Sequence, residues 1–342
     1  MSKLYILGNG FDLYHGLPTS YKDYKSYLEL YCKDIYSAYA GFKYLNLDYA
    51  LTCNDERWSR IEEAINIDYT RLLKDFLKEA SSESPQDYLG SEDACFLLDE
   101  ATRFIFDFTG ECFARWVRSI DVSTASPILN LTSSDFYISF NYTSSLEHIY
   151  SIEPSNILHV HGSIDSVDPG QLILVDCEIA YPAYIPDDLD IPEVVFCKDE
   201  PNNIYIKSVL QFGNPLTSPG EVEERLRKSF GRGTLRDPVI SKCIDKAVTS
   251  SKAAYKDLAH NYDAISAFLA GKDIDTVVVF GHSYDGVDRP YYEDIFAPKL
   301  HRCDWVFWPK DPSFEKVRID CFCDEVCLPA YRIMSVGSIE RG

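Results

Sequence analysis

The chain has 342 residues, of which 46% are hydrophobic and 14% aromatic, enough for a packed core and against global disorder. Acidic residues outnumber basic ones 54 to 33, a formal net charge of −21, so the surface repels phosphate backbones and general nucleic-acid binding is not expected. No apolar run reaches the roughly 18–20 residues that span a bilayer, so the chain is expected to be soluble and free of membrane contact. The first apolar run leaves no room for a signal peptide, and the 11 cysteines are scattered and odd in number. Both features point to the cytoplasm, with thiols free and buried. Cys303, Cys321, Cys323 and Cys327 form the densest cysteine group, but no paired knuckle is present, so no metal site is expected.

Leu4 to Leu7 reads as a buried strand. Gly8-Asn9-Gly10 then breaks it with a turn free of side-chain bulk, a weak signal for a phosphate-binding loop. The first helix is expected about ten residues later, from Tyr21, with Thr19 or Ser20 as its cap. Residues 55–125 carry helical periodicity, in Trp58, Ile61, Ile65 and Tyr69 and again from Phe96 to Val117. They read as a helical insertion, about 50–125. Strands are expected at Phe136–Phe140, at Ile157–His161 and at Gln171–Val175. Between Tyr181 and Pro219 the composition is that of loops with short extended pieces, and Glu221 to about Ala270 is helical with a Gly-Arg-Gly break at 231–233. Asp275–Phe280 is the clearest buried strand, and late strands are expected at Trp305–Trp308 and Val317–Phe322.

Buried runs alternating with helices predict an α/β fold: one Rossmann-like domain over 1–342 with a mainly parallel sheet and helices on both faces. Such sheets bind ligands at the carboxyl ends of their strands. Four of these ends carry unusual residues: Gly8 to Asp12, Asn141-Tyr142, His161-Gly162-Ser163 and Gly281 to Asp285. His159 and His161 alternate along one strand, which places both rings on one face, but no third metal ligand is evident.

With those motifs in view, the chain resembles the AbiH family, named for bacteriophage abortive infection. The likeness rests on Gly8-Asn9-Gly10-Phe11-Asp12, Phe140-Asn141-Tyr142-Thr143, His159 to Ser163 and Phe280 to Asp285, supported by Leu17 to Ser20 and Asp288 to Tyr292. More remotely, the order of motifs is similar to the sirtuin-like NAD-binding fold. That resemblance implies that Gly8, Asn9 and Gly10 cradle the pyrophosphate of NAD; Asp12, beside them, is read as a cofactor contact to a ribose hydroxyl or as the residue that orients a water. It implies likewise that Gly281, Ser283 and Asp285 hold the adenosine half, with His282 beside the same pocket. Asn141 and His161 would then stand at the nicotinamide ribose, Asn141 orienting and His161 acting as base, with His159 or His282 as alternatives. The sirtuin four-cysteine zinc site is absent, so an NAD-cleaving defence effector is expected rather than a deacylase, with NAD as substrate and no further cofactor. A non-catalytic nucleotide-sensing module and a metal-dependent nuclease are the alternatives. A homo-oligomer or a defence-system partner protein is expected to restrain the activity.

Overall fold

The computed structural model describes residues 2–41, 61, 67–82, 98, 107–164, 195–196, 204–205, 217–230, 238–253, 255–256, 258–284 and 286–335. The chain divides into two compact units. One comprises Met1–Asp23, Trp116–Ser166 and Asp257–Gly342, and the other Tyr24–Arg115 and Val167–Lys256.

The first unit holds a six-stranded sheet. Its strands are β1 (Ser2–Leu7), β2 (Phe136–Ser139), β3 (Ile157–His159), β4 (Ile274–Phe280), β5 (Asp304–Trp308) and β6 (Tyr331–Ile333). They run in the order β3-β2-β1-β4-β5-β6, and every pair is parallel. This is the doubly wound order. Its direction reverses between β1 and β4, where Leu7 pairs with Phe280 on one side and Ser139 on the other. Burial on both faces explains the unbroken apolar runs. Leu4, Tyr5, Ile6 and Leu7 are all buried, and so are Val277 to Phe280.

Alternate side chains feed two cores. Leu4, Ile6, Val277 and Val279 join Ile265, Tyr291, Tyr292, Phe296, Ile319 and Phe322. Tyr5, Leu7, Val278 and Phe280 join Phe11, Leu146 and Ile152 on the other face. The first layer comes from α4 (Leu258–Leu269), the helical segment 289–299 and α5 (Pro312–Glu325). The second comes from α1 (Asn9–Tyr14) and α3 (Ser145–Tyr150).

Three expectations are corrected. A helix, α1, enters directly after the glycine turn instead of ten residues later. Its six residues are too few to show a hydrophobic period. The expected helix at Tyr21 is α2 (Tyr21–Tyr31), and Ser20 caps it: Ser20 Oγ accepts from Asp23 N at 3.2 Å while Asp23 Oδ2 accepts from Ser20 N at 2.9 Å. Val317–Phe322 is helix and not strand. Asp311 accepts from Ser313 N and Phe314 N, Pro312 follows at the first turn, and Ile319, Phe322 and Cys323 bury one helical stripe. Finally, the strand at Ile157 stops at His159, and Gly162 turns with φ 81° just beyond. The expected strand at Gln171–Val175, the break at 231–233 and most of 181–216 lie outside the described residues; within 181–216 the described pieces, 195–196 and 204–205, are short and extended.

In the second unit the described helices are Lys33–Gly41, Tyr69–Ser82, Pro219–Ser229 and Pro238–Ala253. Val195–Phe196 and Ile204–Tyr205 form an antiparallel pair. Tyr69 OH donates to Ser250 Oγ at 2.8 Å, and Tyr24 OH donates to the Phe108 carbonyl at 2.5 Å. Among the described residues no helix is long and apolar enough to cross a membrane.

Candidate functional site

The loops after β1 and β4 meet at the reversal point, and glycine makes the meeting possible. Gly10 N donates to the Gly281 carbonyl at 2.8 Å, and Gly8 N donates to the Phe280 carbonyl at 3.2 Å. A Cβ on Gly10 would lie 2.5 Å from Gly281 Cα, and one on Gly281 only 2.4 Å from the Gly10 carbonyl carbon. Gly281 also has φ 62°, a conformation that side chains disfavour. At Gly8 a Cβ would stand 2.7 Å from His282 Cδ2, so the bare backbone makes room for an imidazole. Asn9 does a separate job: its Nδ2 donates to the Thr19 carbonyl at 2.7 Å and ties the turn to the segment before α2.

Asp12, in the first turn of α1, is 1% exposed. Thr143 Oγ1 donates to one carboxyl oxygen at 2.5 Å and Ser145 Oγ to the other at 2.6 Å. Burial pushes its pKa from 3.8 up to about 6, against the pull of Ser145, Thr143 and Asn141 hydrogen bonding and of the His159 charge. Asn141, 4% exposed, follows β2 at its carboxyl end. Its amide lies near enough to Asp12 to favour the carboxylate, yet neither side-chain polar atom makes a well-formed hydrogen bond. A buried amide in that state is costly unless something else completes it.

The two histidines after β2 do not share a face. His159 turns to Glu147, with Nε2 2.9 Å from Oε1. His161, beyond the end of the strand, turns to Asp288, with Nε2 3.4 Å from Oδ1. The strand pleat that would have aligned them ends at His159. Asp288 also faces His282, whose Nε2 is 3.3 Å from Oδ2, within charge attraction though poorly aligned for a hydrogen bond. His282 Nδ1 is 2.6 Å from the Tyr292 hydroxyl. Phe140 underlies the group, its ring centroid 3.9 Å from that of His282 and 5.1 Å from that of His161. Tyr291 closes it edge-on to His161 at 5.9 Å, its own hydroxyl accepting from Asn261 Nδ2 at 2.7 Å.

The sequence-predicted residues are therefore distributed over two adjoining networks. Asp12 and Asn141 belong to one, and His161 and His282 to the other, with Gly8, Gly10 and Gly281 forming the loop contact. Ser283 is exposed in the loop after β4, and Asp285 lies outside the described residues. Sequence reasoning missed Asp288, Tyr292, Thr143 and Ser145 as site residues. Asp288 and Tyr292 follow Gly281-His282 within a dozen residues and stand four apart, the one signal that they share a helical face. Of the cysteine cluster, Cys323 is buried on α5 while Cys321 and Cys327 are exposed. Among the described residues no group of three or more His, Cys, Asp or Glu is arranged to hold a metal ion.

The order of these strand-end motifs extends across nearly the whole chain. A family model described as bacteriophage abortive infection AbiH matches residues 4–308. The chain belongs to the AbiH family. Membership gives it a role in phage defence by abortive infection. No curated protein and no solved structure matches this AbiH-family chain. The matched span begins in β1 and ends with β5, so it takes in both glycine loops and the His161–Asp288–His282 group.

Proposed function

We propose that this AbiH-family chain binds NAD across the carboxyl edge of its sheet and hydrolyses the nicotinamide–ribose bond, with His161 as general base. The observation that carries the reading is the pairing of buried His161 with the partly exposed Asp288 at that edge, 3.4 Å apart. Doubly wound sheets bind nucleotides where their strand order reverses, which is here between β1 and β4. Nicotinamide leaves as a neutral molecule, taking the bond electrons, so the step needs no strong acid. It does need a held ribose and a base for water, because positive charge builds on the sugar. With its Nε2 hydrogen turned to Asp288, the neutral ring of His161 carries its lone pair on Nδ1, which accepts the proton of the attacking water. Asn141, whose amide is incompletely bonded, suits a ribose hydroxyl or that water.

The test is release of free nicotinamide from NAD by purified protein, with and without phage lysate as trigger. His161→Ala and Asp288→Asn, each shown to be folded, are expected to lose about 10²–10⁴-fold in rate. Full activity in both would remove the assignment. NAD binding without turnover under either condition would turn the site into a nucleotide sensor.

A further inference from the structure

Asp288 stands between two imidazoles. His161 Nε2 lies 3.4 Å from its Oδ1 and His282 Nε2 lies 3.3 Å from its Oδ2. The side chains of His161 and His282 are 3% and 2% exposed, and that of Asp288 is 15% exposed. The far nitrogen of His282 is 2.6 Å from the hydroxyl of Tyr292, which is fully buried. Four groups thus form a line, Tyr292, His282, Asp288, His161, drawn from the turn after β3, from the segment after β4 with its 3-10 turn Gly286–Asp288, and from a π-helical turn, Tyr292–Phe296.

We propose that Tyr292 is a positioning residue. Its hydroxyl donates to His282 Nδ1, which puts the single hydrogen of the neutral imidazole on Nε2, facing Asp288, and holds the carboxylate for His161. The inference rests on the reading of His161 as base and adds the group that sets its partner.

Three observations support the direction of that hydrogen bond. Burial, with Asp288 and Tyr284 nearby, raises the Tyr292 pKa well above its ordinary value, so the phenol keeps its proton to give. The His282 ring is held in place: Phe140 covers it at 3.9 Å and the Gly8 backbone abuts Cδ2, so it does not turn over to exchange its nitrogens. Tyr292 is fixed in turn by edge-on contact with Phe296 at 5.4 Å and Phe322 at 5.3 Å. The ionisable groups around His282 are Asp288, Tyr292 and, through Asp288, His161; Tyr284 stands behind Tyr292 with Arg318 over its ring at 5.7 Å.

The chain has only 7 histidines, so nitrogen-15 histidine labelling gives a readable NMR spectrum, with His161→Gln and His282→Gln identifying the two signals. In the wild type, the neutral His282 ring is expected to carry its hydrogen on Nε2 and none on Nδ1. In Tyr292→Phe that tautomer is expected to become mixed. Asp288 then gives less of its charge to His282, and the His161 midpoint rises by about half a pH unit or more. A His282 protonated on Nδ1 in the wild type, or a His161 titration unmoved in Tyr292→Phe, overturns the proposal. The wild-type tautomer needs no variant and decides the matter even if Tyr292→Phe does not fold. Absence of NAD cleavage with the tautomer intact counts against the hydrolase reading alone, and cleavage with the wrong tautomer counts against Tyr292 alone.

Discussion

The contact between the glycine loops after β1 and β4 can be weighed by substitution, because two glycines elsewhere serve as controls. Gly281 has φ 62° and would place a Cβ 2.4 Å from the neighbouring loop, whereas Gly16 and Gly271, with φ 78° and 74°, would place one in open space. Alanine at any of the three carries the left-handed strain, about 1–2 kcal/mol. Only at Gly281 must a backbone also retreat, by about 1 Å, to reach an ordinary contact of 3.4 Å or more. No rotamer change can relieve a clash with backbone atoms, so this overpacking adds about 3 kcal/mol. Gly281→Ala should therefore cost ~4–5 kcal/mol and the controls ~1–2 kcal/mol. Gly10→Ala has the clash, at 2.5 Å, without the strain. It also gains about 1 kcal/mol of helix propensity, so it should cost ~2 kcal/mol, at the upper end of the controls and well below Gly281→Ala. Urea unfolding followed by tryptophan fluorescence reads chiefly the right unit, since three of the four tryptophans, Trp116, Trp305 and Trp308, lie in the one that holds the sheet, and Trp58→Phe removes the signal of the other. A Gly281→Ala midpoint no lower than that of Gly16→Ala would mean that the loops part freely, and the close approach would lose its structural meaning.

Other perturbations have equally definite outcomes. Asp12 has a folded pKa of about 6 against an ordinary 3.8, so the native state holds a proton that the unfolded state has lost. Stability should fall as pH rises from about 4 to about 6, by ~3 kcal/mol, and level off above. Asp12→Asn should flatten that slope in urea titrations between those pH values. A second prediction concerns His15, whose pKa burial lowers. Its Nδ1 is 2.7 Å from the Phe11 carbonyl, and its Nε2 is 2.6 Å from Tyr150 OH, which also accepts from Ile128 N and Leu129 N. Tyr150→Phe strips one hydroxyl from three neighbours and should cost ~1–3 kcal/mol by the same unfolding measurement. Asp311→Ala removes the cap of α5 and should cost about 1 kcal/mol, with helix signal lost near Phe314 in hydrogen exchange.

The parallel sheet was legible because its strands are buried on both faces. Leu4–Leu7 and Trp305–Trp308 are apolar throughout, Phe136–Phe140 is so but for Ser139 and Asp275–Phe280 but for its polar start, and each became a strand. The sixth strand, Tyr331–Ile333, was not, since three residues at an edge show no period. Val317–Phe322 misled for a different reason. Its residues alternate Val, Arg, Ile, Asp, which mimics a strand, but Asp311-Pro312 upstream is a helix start and decided the outcome. The glycine turn was read for its freedom to approach a phosphate. The structure uses the same freedom to bring two protein loops together and to seat His282 against Gly8.

Candidate chemistry was legible only one residue at a time. His161 and His282 stand out in sequence because each follows a strand end, but nothing in either neighbourhood says that they share a carboxylate. That fact depends on β3 and β4 standing three places apart in the sheet, with β1 and β2 between them, and on a short helical segment that brings Asp288 and Tyr292 back over Phe140. Asn141 shows the same limit from the other side. Its amide is drawn toward Asp12, 129 positions earlier, through the pairing of β2 with β1. A base whose partner comes from another crossover can be tuned by residues far from the reacting atoms. The proton on His282 is then the quantity to measure first. It reports whether Tyr292 governs Asp288 before any substrate is added, and it does so independently of whether NAD is the molecule that His161 serves.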